Sequence, residues 1–131
     1  MTSQKNLQLE ESMVRFSQQP ILVVGDLILD RFVWGKVERI SPEAPVPVVE
    51  VVTETVHLGG AANVASNLAS LGAQPLVVGT IGGDKEGEEL LEEFRKQGIS
   101  SEGVVRDTQR ITSTKTRIIA EHQQVCRTDR E

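Results

Sequence analysis

Apolar positions along the chain change their period several times, and each change marks an element. Ile21-Leu22-Val23-Val24 is a continuous apolar run rich in β-branched residues, which predicts a strand buried on both faces of a parallel sheet. Before it, Leu9, Met13 and Phe16 recur at rough helical spacing in a polar stretch that Pro20 closes, so a short amphipathic helix is expected there. Leu27-Ile28-Leu29 carries the apolar character on to Asp30. From Arg31 to Val56 the pattern turns β-rich and stiff, with Gly35, Pro42, Pro45 and Pro47 among Val46, Val48, Val49, Val51, Val52 and Val56. Prolines cannot donate to a ladder, so this reads as an antiparallel excursion that leaves the main sheet and returns at Gly59-Gly60.

The period then becomes helical. Ala61, Val64/Ala65, Leu68 and Leu71/Gly72 define an apolar stripe of small residues, with Gly72 as the expected C-terminal glycine. Gln74–Thr80, through Leu76-Val77-Val78, is a second buried strand, and strand, helix, strand reads as a right-handed parallel crossover. Asp84 is a plausible N-cap for a helix through Gln97. Leu90, Leu91 and Phe94 form its inner face, with Glu88, Glu89, Glu92, Glu93, Arg95 and Lys96 outside and Gly98 at its end. Ile99–Val105 is expected as a short strand. Thr112–Ile119 alternates polar and apolar residues, and Glu121–Glu131 continues in extended style, with Gln123-Gln124 fitting a hairpin return.

Composition narrows the classes. A length of 131 residues suits one domain or part of one. The net charge of −5 with no basic stripe argues against nucleic acid as a partner. One cysteine, Cys126, permits no internal disulfide and fits a cytoplasmic location. No apolar run is long enough for a membrane span and no secretory leader is evident. His57 and His122 have no ligand spacing, so no metal site is expected.

The candidate chemistry gathers at Gly59-Gly60-Ala61-Ala62-Asn63 and at Asp26 and Asp30. Adjacent glycines let the backbone turn tightly and approach a ligand closely. The helix that follows presents unpaired N–H groups and a partial positive charge at its start, and Asn63 in its first turn offers a donor and an acceptor. On these residues alone an ordinary glycine turn before a core helix is an equal alternative. Carboxylates at a buried strand end need partners, and ligands of open α/β sheets bind outside such ends. For Asp26 the blander reading, a backbone cap of the turn, is the favoured one.

The run Gly59, Asn63, Ala65, Gly72 and Gly82 resembles the N-terminal signature of the ribokinase-like (PfkB) carbohydrate kinases, over about residues 20 to 131. The narrower runs Arg39-Ile40-Ser41-Pro42-Glu43-Ala44-Pro45-Val46-Pro47-Val48-Val49 and Thr114-Lys115-Thr116-Arg117, with Gln123-Gln124 and Arg127-Thr128-Asp129, resemble the heptose 7-phosphate kinases, including the kinase half of the bifunctional ADP-heptose synthesis enzymes. Glu121-His122 and Cys126 depart from that pattern.

The resemblance implies an α/β fold: a three-layer parallel sheet with helices on both faces and an antiparallel β lid. It implies a lead-in helix over residues 1–19, then the N-terminal portion of a kinase domain over 20–131, with lid segments at about 33–56 and 112–131. Asp30, Gly59, Gly60 and Asn63 would contact sugar hydroxyls. Arg39, Lys115 and Arg117, with Gln124, would serve the substrate from the lid, and Arg117 is the first choice for a substrate phosphate. The reaction implied is ATP- and Mg2+-dependent phosphorylation of the anomeric hydroxyl of a heptose 7-phosphate, in a cytoplasmic homodimer joined through its lid.

In this family the proton acceptor and the anion-holding glycine nest lie in a Gly-Ala-Gly-Asp-like motif toward the C-terminus. No such motif occurs in these 131 residues, Gly82-Gly83-Asp84 being part of the N-terminal pattern, so no catalytic residue is assigned and the chain alone is expected to be inactive. A noncatalytic sugar-phosphate-binding or dimerisation module, or another ribokinase-like sugar kinase, is the alternative. A nucleotide-binding oxidoreductase fits less well, because Gly25-Asp26-Leu27 is not a dinucleotide fingerprint.

Overall fold

The computed structural model describes residues 10–12, 14–15 and 19–131. Residues 10–12 and 14–15 are helical, whereas Leu9, Met13 and Phe16, which define the expected lead-in helix, lie outside the described residues. Two sheets and two helices follow. Strands β1 (Pro20–Val24), β4 (Gln74–Gly82) and β5 (Val104–Asp107) form a parallel sheet in the order β1-β4-β5. Strands β2 (Leu27–Ile40), β3 (Pro47–Gly59), β6 (Ser113–Ala120) and β7 (Gln123–Arg130) form a mixed sheet in the order β3-β2-β6-β7. There β2 runs antiparallel to β3 and parallel to β6, and β7 returns antiparallel on β6.

Gly25 and Asp26 interrupt the extended chain and hand it from the first sheet to the second. The excursion expected after Arg31 is therefore the continuation of a strand that already begins at Leu27. The hairpin between β6 and β7 turns on Glu121 and His122, both with positive φ (48° and 65°), so His122 sits at the lid tip.

Helix α1 (Gly60–Ser70) begins at the glycine pair. Gly60 takes φ +56°, where a side chain is strained. Its neighbour Ala61 donates its N–H to the Asp26 carbonyl at 2.9 Å, so Asp26 does close the turn through its backbone. The expected apolar stripe is displaced by one position. Ala62 and Ala65 are fully buried, while Val64 and Leu71 are 50% and 59% exposed. Alanines let the helix backbone lie close on the sheet, and the larger side chains fit only along its flank, where Val64 and Leu68 line a groove with Ile21 and Leu22.

Helix α2 (Lys85–Lys96) follows the expectation closely. Asp84 accepts from Gly87 N–H at 3.0 Å as N-cap, Leu90 and Phe94 are fully buried, and Gly98 ends the helix with φ +67°. Both helices join one core with Leu27, Leu29, Leu58, Val77 and Ile81.

Two expectations need correction. β1 is not buried on both faces: Val23 is buried, but Leu22 and Val24 are 61% and 68% exposed. The described helices cover the Val77 and Ile81 side of the parallel sheet, and on the other side Leu22, Val24, Leu76 and Val78 remain exposed. The strand placed at Ile99–Val105 starts only at Val104. Ile99 instead drops into the core, and Ser100 makes an isolated bridge to Leu76.

Candidate substrate-binding site

Strand alternation puts Asp30, Phe32 and Trp34 on one face of β2. In register beside them lie His57 and Thr55 of β3, and Lys115, Arg117 and Ile119 of β6. This face of the lid sheet meets the start of α1 at Gly59. A Cβ there would collide with Asp30 Oδ2, so the absence of a side chain at Gly59 is what lets the carboxylate lie against the backbone. The other oxygen, Oδ1, accepts from Arg117 Nη1 at 2.5 Å. The two carboxylate oxygens thus have different surroundings: one held by a cation, one facing the glycine pair.

Arg117 also lies over the Phe32 ring, 5.2 Å from its centroid, and uses only one of its five N–H donors on Asp30. Lys115 is on the same face but reaches back to Asp129 and Glu131, at 3.4 and 3.3 Å. Asn63 is exposed in the first turn of α1, whose N-terminus receives no side-chain cap and no acidic residue. Gln124 stands opposite Ile119, which in turn pairs with Trp34, and so shares the Asp30 face four ladder positions along β2. Arg39 is not brought to this group. Nine residues of strand separate it from Asp30, about 30 Å at 3.3 Å per residue, and it sits exposed at the far end of the hairpin beside Glu38, Val48 and Glu50.

The aromatic part of this face is absent from the sequence reading. Phe32 stacks with Trp34 (6.1 Å, 16°) and meets the His57 ring edge-on (5.4 Å, 81°). The signal was available in the i, i+2, i+4 spacing of Asp30, Phe32 and Trp34, which places all three on one face once the segment is read as a strand.

Ion pairs on the opposite face anchor the lid. Arg31 bonds Glu89 of α2 at 2.5 Å and Glu54 of β3 at 3.4 Å, and Arg130 reaches Glu86 at 3.3 Å. At the base of β6, the Thr112 hydroxyl accepts from Gly82 N–H at 2.9 Å and donates to Asp84 at 2.6 Å, while Thr112 N–H donates to the same carboxylate at 2.9 Å. Partial burial pushes the Asp84 carboxyl up, but the hydrogen bonds from Thr112 and Gly87 outweigh it and hold the group below the usual aspartate range. Among the described residues no three His, Cys, Asp or Glu side chains come together to hold a metal ion, and no described helix is long and apolar enough to cross a membrane.

A parallel core sheet, a glycine turn opening a helix, and a β lid laid over a carboxylate at that turn define part of a ribokinase-like fold. The chain belongs to the pfkB family of carbohydrate kinases, which it matches over residues 18–131. It is similar to the bifunctional protein HldE of Pelobacter propionicus, with 54% identity over 110 residues, covering 84% of this chain and 22% of that protein. Among solved structures it is similar to a carbohydrate kinase from Agrobacterium tumefaciens (TM-score 0.64, 26% identity, 86% of this chain and 35% of that one). It also resembles a fructokinase with bound ATP from Xylella fastidiosa (TM-score 0.59, 23% identity, 86% and 30%). The chain spans under a quarter of the HldE protein it matches.

Proposed function

We propose that residues 20–131 form the sugar-recognition portion of an ATP-dependent carbohydrate kinase that phosphorylates the anomeric hydroxyl of a heptose 7-phosphate, in the making of ADP-heptose for lipopolysaccharide core precursors. The observation that carries this reading is the Asp30 carboxylate seated against Gly59 at the start of α1, with Arg117 of the lid on its other oxygen. A fixed carboxylate with one oxygen facing a glycine turn can accept from a sugar hydroxyl, and Asn63 can both donate and accept beside it. The unused donors of Arg117, and Lys115 if it leaves Asp129 and Glu131, are suited to a substrate phosphate. Gln124 extends the same surface. Arg39 of the same chain is too remote to join it, and would contribute only across a lid-to-lid contact.

In this reading the residues described here bind and orient the sugar, and transfer itself, with ATP and magnesium, belongs to sequence beyond them. The location is cytoplasmic, and the active form is a homodimer joined through the lid. The exposed edge strand β7 and the valines of β3, Val51 and Val52, support that contact. The test is a coupled assay of the complete enzyme with ATP, magnesium and a panel of sugars. Turnover of heptose 7-phosphate well above that of hexose and pentose phosphates is expected, and a clear preference for another sugar would overturn the substrate assignment.

A further inference from the structure

Phe32 lies two residues beyond Asp30 on the same face of β2 and directly opposite Arg117 on β6. The guanidinium carbon is 5.2 Å from the ring centroid, within the ~6 Å reach of a cation–π contact. From that position Nη1 donates to Asp30. The ring is braced on two sides, by the stacked Trp34 and by the edge of His57. An arginine side chain has several free torsions, and fixing them costs entropy each time an ordered geometry is needed. A braced ring beneath the guanidinium confines it before substrate arrives.

We infer that Phe32 is a positioning residue of the sugar site: it lays Arg117 in line with Asp30 and so fixes the carboxylate that receives the sugar. The role rests on the functional reading given above. It acts on the sugar and not on the nucleotide, and it requires an aromatic face: leucine can fill the space but offers no ring quadrupole to the cation.

The experiment is steady-state kinetics of the complete kinase with Phe32→Leu, Phe32→Tyr, Arg117→Ala and the Phe32→Leu/Arg117→Ala double variant. Phe32→Leu should raise the sugar KM by about two- to thirtyfold, the range expected for a lost cation–π contact. Its kcat and ATP KM should stay within about twofold, and Phe32→Tyr should restore the wild-type sugar KM. The Phe32→Leu loss should vanish in the Arg117→Ala background, because both changes remove one unit. In the unliganded protein, NMR of the Arg117 side-chain N–H groups should show a ring-current shift that Phe32→Leu abolishes and Phe32→Tyr retains. An unchanged sugar KM in Phe32→Leu, fully additive losses in the double variant, or an equal rise in the ATP KM would each overturn the positioning role while the functional reading stood. A wild-type enzyme that turns over no sugar would overturn the functional reading and this role with it.

Discussion

A side chain at Gly59 would strike the Asp30 carboxylate. The glycine pair is therefore two different requirements in adjacent positions. Gly60 is needed for the local turn, since its φ of +56° strains any side chain and a Cβ there would also meet the Asp26 carbonyl. Gly59 has ordinary extended backbone, with φ −118°, and is needed for the space it leaves to a residue 29 positions earlier in the chain.

That division gives separable outcomes. Gly59→Ala should displace Asp30 and weaken sugar binding, with a smaller effect on stability. Asp30→Asn should do the same directly: a hydrogen bond to a charged group is worth ~1.5–3 kcal/mol, so about a ten- to hundredfold loss of sugar affinity is expected. Asn63→Ala should also weaken sugar binding, and ATP affinity should be unaffected in all three. Gly60→Ala should instead lower stability, by ~1–2 kcal/mol for the left-handed backbone alone. Calorimetric titration with each ligand and urea unfolding check these; sugar affinity unchanged in both Asp30→Asn and Asn63→Ala would remove those residues from the pocket.

Among the described residues Arg117 has one donor on Asp30 and others to spare. Arg117→Ala should therefore weaken binding of any sugar, through Asp30, and weaken a phosphorylated sugar further. Comparing heptose 7-phosphate with its unphosphorylated analogue isolates the second effect. Equal losses for the two would confine Arg117 to holding Asp30.

Much of this arrangement was legible in the chain because it is written in local signals. The glycine pair, the Asp84 cap, the Leu90 and Phe94 face of α2 and the Gly72 and Gly98 helix ends all follow from residue type and spacing. What was not legible depends on partners distant in sequence. Val64 and Leu68 match a helical stripe as well as Ala62 and Ala65 do, and only the closeness of the sheet selects the alanines. Leu22 and Val24 satisfy the pattern of a doubly buried strand, and periodicity cannot tell whether anything covers their side. The partnership of Asp30 with Arg117 joins positions 87 apart, and it exists because β6 adds in parallel beside β2. No motif records that register. The aromatic group around Phe32 is of both kinds: Phe32 and Trp34 share a face with Asp30 by strand alternation, and only His57 joins from across the ladder.

The junction at Asp84 and Thr112 ties the β4–α2 turn to the start of the lid strand β6, and it should show in stability rather than in sugar binding. Asp84→Ala removes the helix cap, which costs about 1 kcal/mol, and also leaves the Thr112 N–H without its acceptor, so a total above 1.5 kcal/mol is expected. The sign of the pH effect follows from the depressed carboxyl. A group held below its unfolded value contributes stability that is fully present above about pH 4, the ordinary aspartate range, and lost as the pH falls through its folded value. Acid titration of unfolding free energy should be less steep below about pH 4 in Asp84→Asn than in the wild type. Identical slopes would mean that the carboxylate is not held by Thr112 in solution.

Expressed by itself, the 131-residue polypeptide should self-associate. Leu22, Val24, Leu76, Val78 and Val105 stand exposed on the side of the parallel sheet opposite Val77 and Ile81, and β1 is an edge strand among the described residues. An uncovered apolar face beside an unpaired edge favours self-association. The isolated polypeptide should elute well above its 14.4 kDa mass and bind a hydrophobic dye. Polar replacement of Leu22 and Val24 together should reduce both effects, because both side chains are more than half exposed. It should also catalyse no ATP-dependent sugar phosphorylation, since no Gly-Ala-Gly-Asp-like motif lies within it. Adding the remainder of the kinase, in the same chain or as a separate fragment, should restore solubility and turnover together. A monomeric, dye-negative polypeptide would show that the sheet face is covered from within these residues. Turnover above a no-enzyme control, in a preparation free of host kinases, would place the catalytic groups within the sugar-side half.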